Sequence, residues 1–297
     1  MTKDQLNKNY ETALSQCRSE IDAIDSEILE LFAKRMKIVA KVRQIKLEAG
    51  ETFFIKSSRE ADMIKDLVAK ADPILPRSMI AIIWRKLITS SNMLEQPLAI
   101  ALHNPQKLSD YNYLLREYYA DFVPITNHDS VNNVVLDIEK NNAQIAVFAL
   151  PNHNAKSNFD NLSEDWWINL ANNKAGLKVF AKIPLIDSTI SNKAPEDLIE
   201  LVALAIKKPE KSRDDNSLLC VELANSVAKS QFATELAACE IEAKILKSVK
   251  LKQVDDVTFH LVEARGFIDE NNPNLQKFTK SKIKPFVKIL GVYPTSV

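Results

Sequence analysis

The chain has 297 residues, enough for two or three domains that each bury a core. Its 39 Lys+Arg balance 39 Asp+Glu within an ordinary 46% apolar and 26% charged composition, so no charge excess points to nucleic acid or to a basic partner. No apolar run approaches the roughly 20 residues of a membrane span, no signal peptide precedes the polar N-terminus, and Cys17, Cys220 and Cys239 share no disulfide or zinc spacing, which together imply a cytoplasmic protein.

The first predicted element is one unbroken helix over residues 14–45. Leu14, Cys17, Ile21, Ile24, Ile28, Leu31, Ile38, Val42 and Ile45 recur at alternating three- and four-residue steps, a heptad seam without Pro or Gly, and Gly50 ends it. Ser57 and Glu60 have the spacing of a capping box, opening a short second helix with Met63, Ile64, Leu67 and Val68 on its apolar face. A third helix is expected from near Pro76, carrying Ile80, Ile83, Trp84, Leu87 and Ile88. Pro97 closes this all-α unit, residues 1–96.

Residues 97–212 change texture. Strand-like runs at 98–102, 145–150, 177–185 and 201–206 alternate with helical stretches at 108–119, 131–140 and 160–172, an α/β pattern. Residues 213–297 read as strand 217–223, helix 227–239, strands 242–252 and 258–267, helix 274–280 and strand 286–293. That βαββαβ order is ferredoxin-like. The expected architecture is therefore multidomain: α, then α/β, then ferredoxin-like. The glycines at 50, 176, 266 and 291 cannot build a glycine-rich phosphate loop. His103, His128, His153 and His260 share no ligand spacing and read as structural, and Trp166–Trp167 reads as core.

One residue breaks the seam. Arg35 stands between Leu31 and Ile38, where a buried stripe calls for an apolar side chain, so it either snorkels, pairs with a structural carboxylate or meets an anionic ligand. Lys46, eleven residues on, shares its azimuth about 16 Å further along. Arg18 is about 25 Å back and on another face. It can serve the Arg35 pocket only from a second, antiparallel copy of the helix. Arg59 and Glu60 open the second helix, and Ile88, Ser91 and Glu95 share one face of the third.

The segments Cys17-Arg-Ser-Glu-Ile-Asp-Ala-Ile-Asp, Leu31-Phe-Ala-Lys-Arg35, Val42-Arg-Gln-Ile-Lys46, Arg59-Glu-Ala and Ser91 through Glu95-Gln-Pro-Leu resemble the all-helical chorismate mutases. The resemblance implies isomerisation of chorismate to prephenate in phenylalanine and tyrosine biosynthesis. It implies a homodimer through the N-terminal helices, and no metal or other cofactor. It makes Arg35, Lys46 and Arg59 the cationic ligand contacts and Arg18 the arginine lent by the partner subunit. Glu60 becomes the partner of the substrate hydroxyl, Ser91 a carboxylate contact, and Glu95 the group facing the ether oxygen. Catalysis is then expected from Lys46, Glu95 and Arg35. Lys56 departs from the family pattern, where some members have an aspartate.

The remainder resembles a prephenate dehydratase followed by an ACT domain, most closely in Phe259-His-Leu-Val-Glu-Ala-Arg-Gly-Phe-Ile-Asp and Val287-Lys-Ile-Leu-Gly-Val-Tyr-Pro. Its signatures are degenerate. Ala101-Leu-His-Asn-Pro replaces the glycine-rich loop, no Thr-Arg-Phe run stands near Glu200-Leu-Val-Ala-Leu, and Asn225-Ser-Val-Ala and Leu246-Lys-Ser-Val replace the phenylalanine-binding motifs. This half is expected to be non-catalytic. Two other readings stay open: a bifunctional mutase–dehydratase, and a non-catalytic helical dimerisation module with a ligand-sensing domain. A lyase acting on isochorismate with the same helical fold is a further variant.

Overall fold

A computed structural model describes residues 3–151, 165–171, 174–184, 199–251 and 256–296. His153, the start of the 160–172 helix and the end of the 177–185 strand lie outside them. The described chain forms two compact units, Met1–Phe54 with Met93–Gln96, and Ile55–Asn92 with Pro97–Val297.

Helix α1 spans Lys3–Glu48 and so starts eleven residues before the apolar seam does. Gly50 stops it at a φ of 72°, the left-handed value that spares only glycine a steric penalty, and the turn is tied by Gly50 N donating to Leu47 O. The seam is largely uncovered: Ile21, Ile24, Leu31, Ile38 and Ile45 each expose more than half of their surface.

In the second unit α2 is Ser57–Lys70 and α3 runs Arg77–Glu95, its last residues belonging to the first unit. The capping-box expectation is corrected here. Lys56, not Ser57, is the N-cap, no side chain caps the helix, and the carboxylate of Glu60 turns into the protein instead. Then come β1 (Ile100–His103), α4 (Ser109–Tyr119), β2 (Ile125–His128), α5 (Val131–Glu139), β3 (Ile145–Leu150), α6 (Trp166–Ala171), β4 (Leu177–Ile183) and β5 (Glu200–Ile206). The chain ends with β6 (Asp215–Ala224), α7 (Lys229–Ala238), β7 (Ala243–Val249), β8 (Val257–Arg265), α8 (Pro273–Thr279) and β9 (Phe286–Pro294).

All the described strands join one sheet in the order β2-β1-β3-β5-β4-β9-β6-β8-β7. The β2-β1-β3 part is parallel, and β9-β6-β8-β7 is antiparallel throughout, the ferredoxin-like order expected of a βαββαβ run. Antiparallel β5 and β4 lie between the two parts, and β4 joins β9 in parallel at Val179 and Gly291. The edge strand β7 carries a bulge between Ile245 and Lys247.

Strand periodicity sorts the core. On β6, Leu218 and Cys220 point into the larger cluster with Phe148, Trp166, Trp167, Leu261 and Tyr293. Leu219, Val221 and Leu223 point to the opposite face, where α7 and α8 supply Phe232, Leu236, Leu275 and Phe278. The tryptophan pair is core, as expected, and fully buried.

Candidate active site

In the first unit the C-terminal half of α1 lies beside the end of α3. Lys46 Nζ donates to Glu95 Oε2 and, at 2.9 Å, to the carbonyl of Phe54, whose ring centroid it also faces at 5.4 Å. Both charged side chains are well covered, 14% exposed for Lys46 and 8% for Glu95. Arg43 Nε donates to the Glu95 carbonyl at 2.9 Å, and Phe54 N donates to Gln96 Oε1 at 2.8 Å. These bonds fix the backbone on either side of the carboxylate. Arg35 is half-buried three turns before Lys46. Burial pulls its guanidinium below the ordinary value, and the charge of Glu95 pushes it back up. Three of the predicted residues, Arg35, Lys46 and Glu95, are thus brought together: two cations about one carboxylate.

In the second unit Glu60 is buried on α2. Its Oε2 accepts from Arg85 Nη1 at 2.8 Å and its Oε1 from Asn92 Nδ2 at 3.1 Å. Arg85 is itself buried, with its guanidinium 4.8 Å from the Tyr118 ring centroid. Burial alone lowers an arginine pKa, but the charge of Glu60 overrides it, helped by Tyr118, the Glu60 hydrogen bond and Tyr119, so the net displacement is upward. Ser91 is buried and donates to the Leu87 carbonyl at 2.8 Å. Arg59 is exposed on α2, as is Arg18 on α1. Lys56, the departure from the family pattern, pairs with Glu210 at 3.2 Å.

Sequence reasoning missed Arg85 and Asn92. The signal that exposed Arg35 also marks them, because Ala81, Arg85, Ile88 and Asn92 fall at i, i+4, i+7 and i+11 along the buried stripe of α3. Two histidines have side-chain partners: His128 meets Asp137 at 2.7 Å and His260 meets Ser248 Oγ at 2.8 Å. Among the described residues no group of three or more His, Cys, Asp or Glu has the arrangement of a metal site.

The first unit holds a long helix with a cation on its seam and a covered carboxylate, and the second holds a buried carboxylate and an α/β sheet. Residues 17–96 match the family model for type II chorismate mutase. The chain is 23% identical over 280 residues to the bifunctional chorismate mutase/prephenate dehydratase of Aquifex aeolicus, covering 92% of this chain and 74% of that one. The protein of the same description from Pseudomonas aeruginosa is 32% identical over 97 residues, 31% of this chain and 27% of the relative. This chain therefore spans about a quarter of that relative's length. Among solved structures, GqqA, a quorum-quenching acylase, superposes with a TM-score of 0.51 at 17% identity, covering 68% of this chain and 96% of that one. A prephenate dehydratase from Streptococcus mutans gives 0.45 at 16% identity, covering 67% and 98%. At such identities the acylase likeness speaks for the fold alone.

Proposed function

We propose that this chain isomerises chorismate to prephenate by the pericyclic rearrangement, on the route to phenylalanine and tyrosine. The observation that carries the reading is the meeting of Arg35 and Lys46 with the covered carboxylate of Glu95. Chorismate is a dianion and the reaction is unimolecular, so the enzyme needs no covalent catalyst. It must hold the enolpyruvyl side chain over the ring, which guanidinium–carboxylate pairs do well. It must also stabilise the negative charge growing on the ether oxygen as the C–O bond breaks. Lys46 is the donor assigned to that oxygen, and Glu95 is the group assigned to face it beside Lys46. Arg35 and Arg59 take the carboxylates with Ser91, and Glu60 takes the ring hydroxyl.

The seam of α1, uncovered in one chain, supports a homodimer in which Arg18 is lent to the partner's pocket, since about 25 Å of helix separates it from Arg35. Residues 213–297 are read as ACT-like on their strand order. The domain limits 1–96, 97–212 and 213–297 belong to the same proposal, as does a cytoplasmic site of action. No helix of the described residues is long and apolar enough to cross a membrane.

Product analysis after incubation with chorismate tests the reading. Prephenate alone is expected, because residues 200–204 form a strand with Leu201, Val202 and Ala203 fully buried and no arginine. Phenylpyruvate in addition supports the bifunctional reading, which the alignment across 92% of the chain favours. No turnover above the uncatalysed rate sinks both and leaves the dimerisation module.

A further inference from the structure

Helix α2 carries the Arg59-Glu60 pair, yet its polar contacts lead into the α/β half. Lys207 Nζ donates to the Ile55 carbonyl at 3.0 Å, just before the helix begins. Ser58 Oγ donates to the Glu210 carbonyl at 2.8 Å, while the Glu210 carboxylate receives both Lys56 and Lys207. Arg213 grips Asp66 through both terminal nitrogens at 2.7 and 2.6 Å, and its backbone N–H donates to the Asp62 carboxylate at 3.3 Å. Lys65 Nζ donates to Thr295 Oγ1, beyond the end of β9, at 2.8 Å.

The spacing of these contacts matters more than their number. Ser58, Asp62, Lys65 and Asp66 fall at i, i+4, i+7 and i+8, one face of the helix. At 100° per residue Glu60 lies almost opposite, where Arg85 and Asn92 hold it. The helix is therefore gripped on two sides, and its rotation about its own axis is fixed. A 20° rotation would carry a side-chain end at a radius of about 6 Å through roughly 2 Å. A displacement of that size is costly for a group that must meet a substrate, since about 1 Å can cost a hundredfold.

We propose that the connection between β5 and β6, residues 207–213, is a positioning clamp that sets the azimuth of α2, so that mutase activity depends on the α/β half even if that half catalyses nothing. The proposal rests on the assignment of Glu60 and Arg59 as substrate contacts. Lys207, Glu210 and Arg213 act through the helix and touch no substrate.

The test uses the full chain with chorismate as the probe. Arg213→Ala removes an exposed grip, Ser58→Ala removes one buried hydroxyl contact, and Lys207→Met removes the covered lysine. Expected are kcat/KM losses of about 3-fold for the first two and about 10-fold for Lys207→Met, carried mainly by KM because binding contacts are displaced. Arg213→Lys, which keeps the charge but loses the two-pronged grip on Asp66, should recover only part of the loss. Hydrogen exchange across residues 57–70 should quicken in the same order, with α1 unaffected. If Lys207→Met does not fold, the two milder variants still decide. Unchanged kcat/KM in both, or unchanged exchange in α2, overturns the clamp. If wild-type protein makes no prephenate, the functional reading has failed, and the exchange data alone judge whether 207–213 holds the helix.

Discussion

Glu60 and Arg85 form an ion pair buried on both sides, and burying charge is repaid only where the geometry is good. The repayment here is incomplete, because Arg85 Nε and Nη2 have no hydrogen-bond partner among the described residues. Removing one member should therefore hurt more than removing both. Arg85→Met leaves the Glu60 carboxylate with Asn92 alone and should cost about 3–5 kcal/mol in urea unfolding, while Arg85→Met with Glu60→Gln should recover part of that. Equal losses in the two proteins would show that packing on Tyr118, not charge, is what Arg85 supplies. His260 gives a pH prediction. Burial, with a smaller push from Lys229, lowers its pKa to about 4. Between that value and the ordinary 6.5 or so, the unfolded chain binds the proton and the folded one does not, so stability rises with pH across this window and is lost as pH falls. The contribution is on the order of 1–2 kcal/mol after allowance for screening. Melting temperature followed from pH 4 to 7 should slope in wild type and be flatter in His260→Gln. Arg35 stood out because a charge on an apolar stripe is a local anomaly, Lys46 because it shares the azimuth of Arg35, and Glu95 through the family resemblance. Arg85 carried the same mark on a less regular stripe, and its partner lies 25 residues away with no period to connect them.

Among the elements, α1 was readable from its seam, but its first eleven residues were not, since residues 3–13 are mostly polar and carry no apolar stripe. Strand β2 was missed for the opposite reason. Ile125-Thr-Asn-His is short, polar and half exposed at a sheet edge, so it lacks the apolar run that betrayed β1, β3, β4 and β5. The Ser57–Glu60 spacing misled because a carboxylate three residues on can serve a buried arginine as readily as a backbone N–H. The uncovered seam makes its own prediction. Ile28→Glu should shift the protein to a monomer by sedimentation and abolish mutase turnover. Mixed Arg18→Ala and Arg35→Ala proteins should regain up to one intact site per heterodimer. Exchange of subunits without any recovery would exclude a shared site.

At the scale of the whole chain, the βαββαβ order was legible because each strand and helix announces itself locally, whereas the joining of all nine described strands into one sheet was not. That joining depends on Val179 meeting Gly291, 112 residues later, and nothing near either residue announces it except the glycine itself. A Cβ at position 291 would come within 2.2 Å of the Val179 carbonyl oxygen and 2.3 Å of its nitrogen, too close for any real contact. Gly291→Ala should therefore destabilise the protein by more than about 3 kcal/mol, visible as a large fall in denaturation midpoint. A midpoint within experimental error of wild type would mean that the β4–β9 seam is dispensable. The same continuous sheet leaves two open margins, β2 and β7. Each margin is a template on which a nascent or damaged copy of the chain can add a strand. β2 offers only four residues, and β7 interrupts its edge with a bulge and with Lys244 and Lys247. The protein thereby carries its own colloidal protection: in a crowded translation mixture these margins discourage sheet-to-sheet growth without any contribution from its catalytic chemistry.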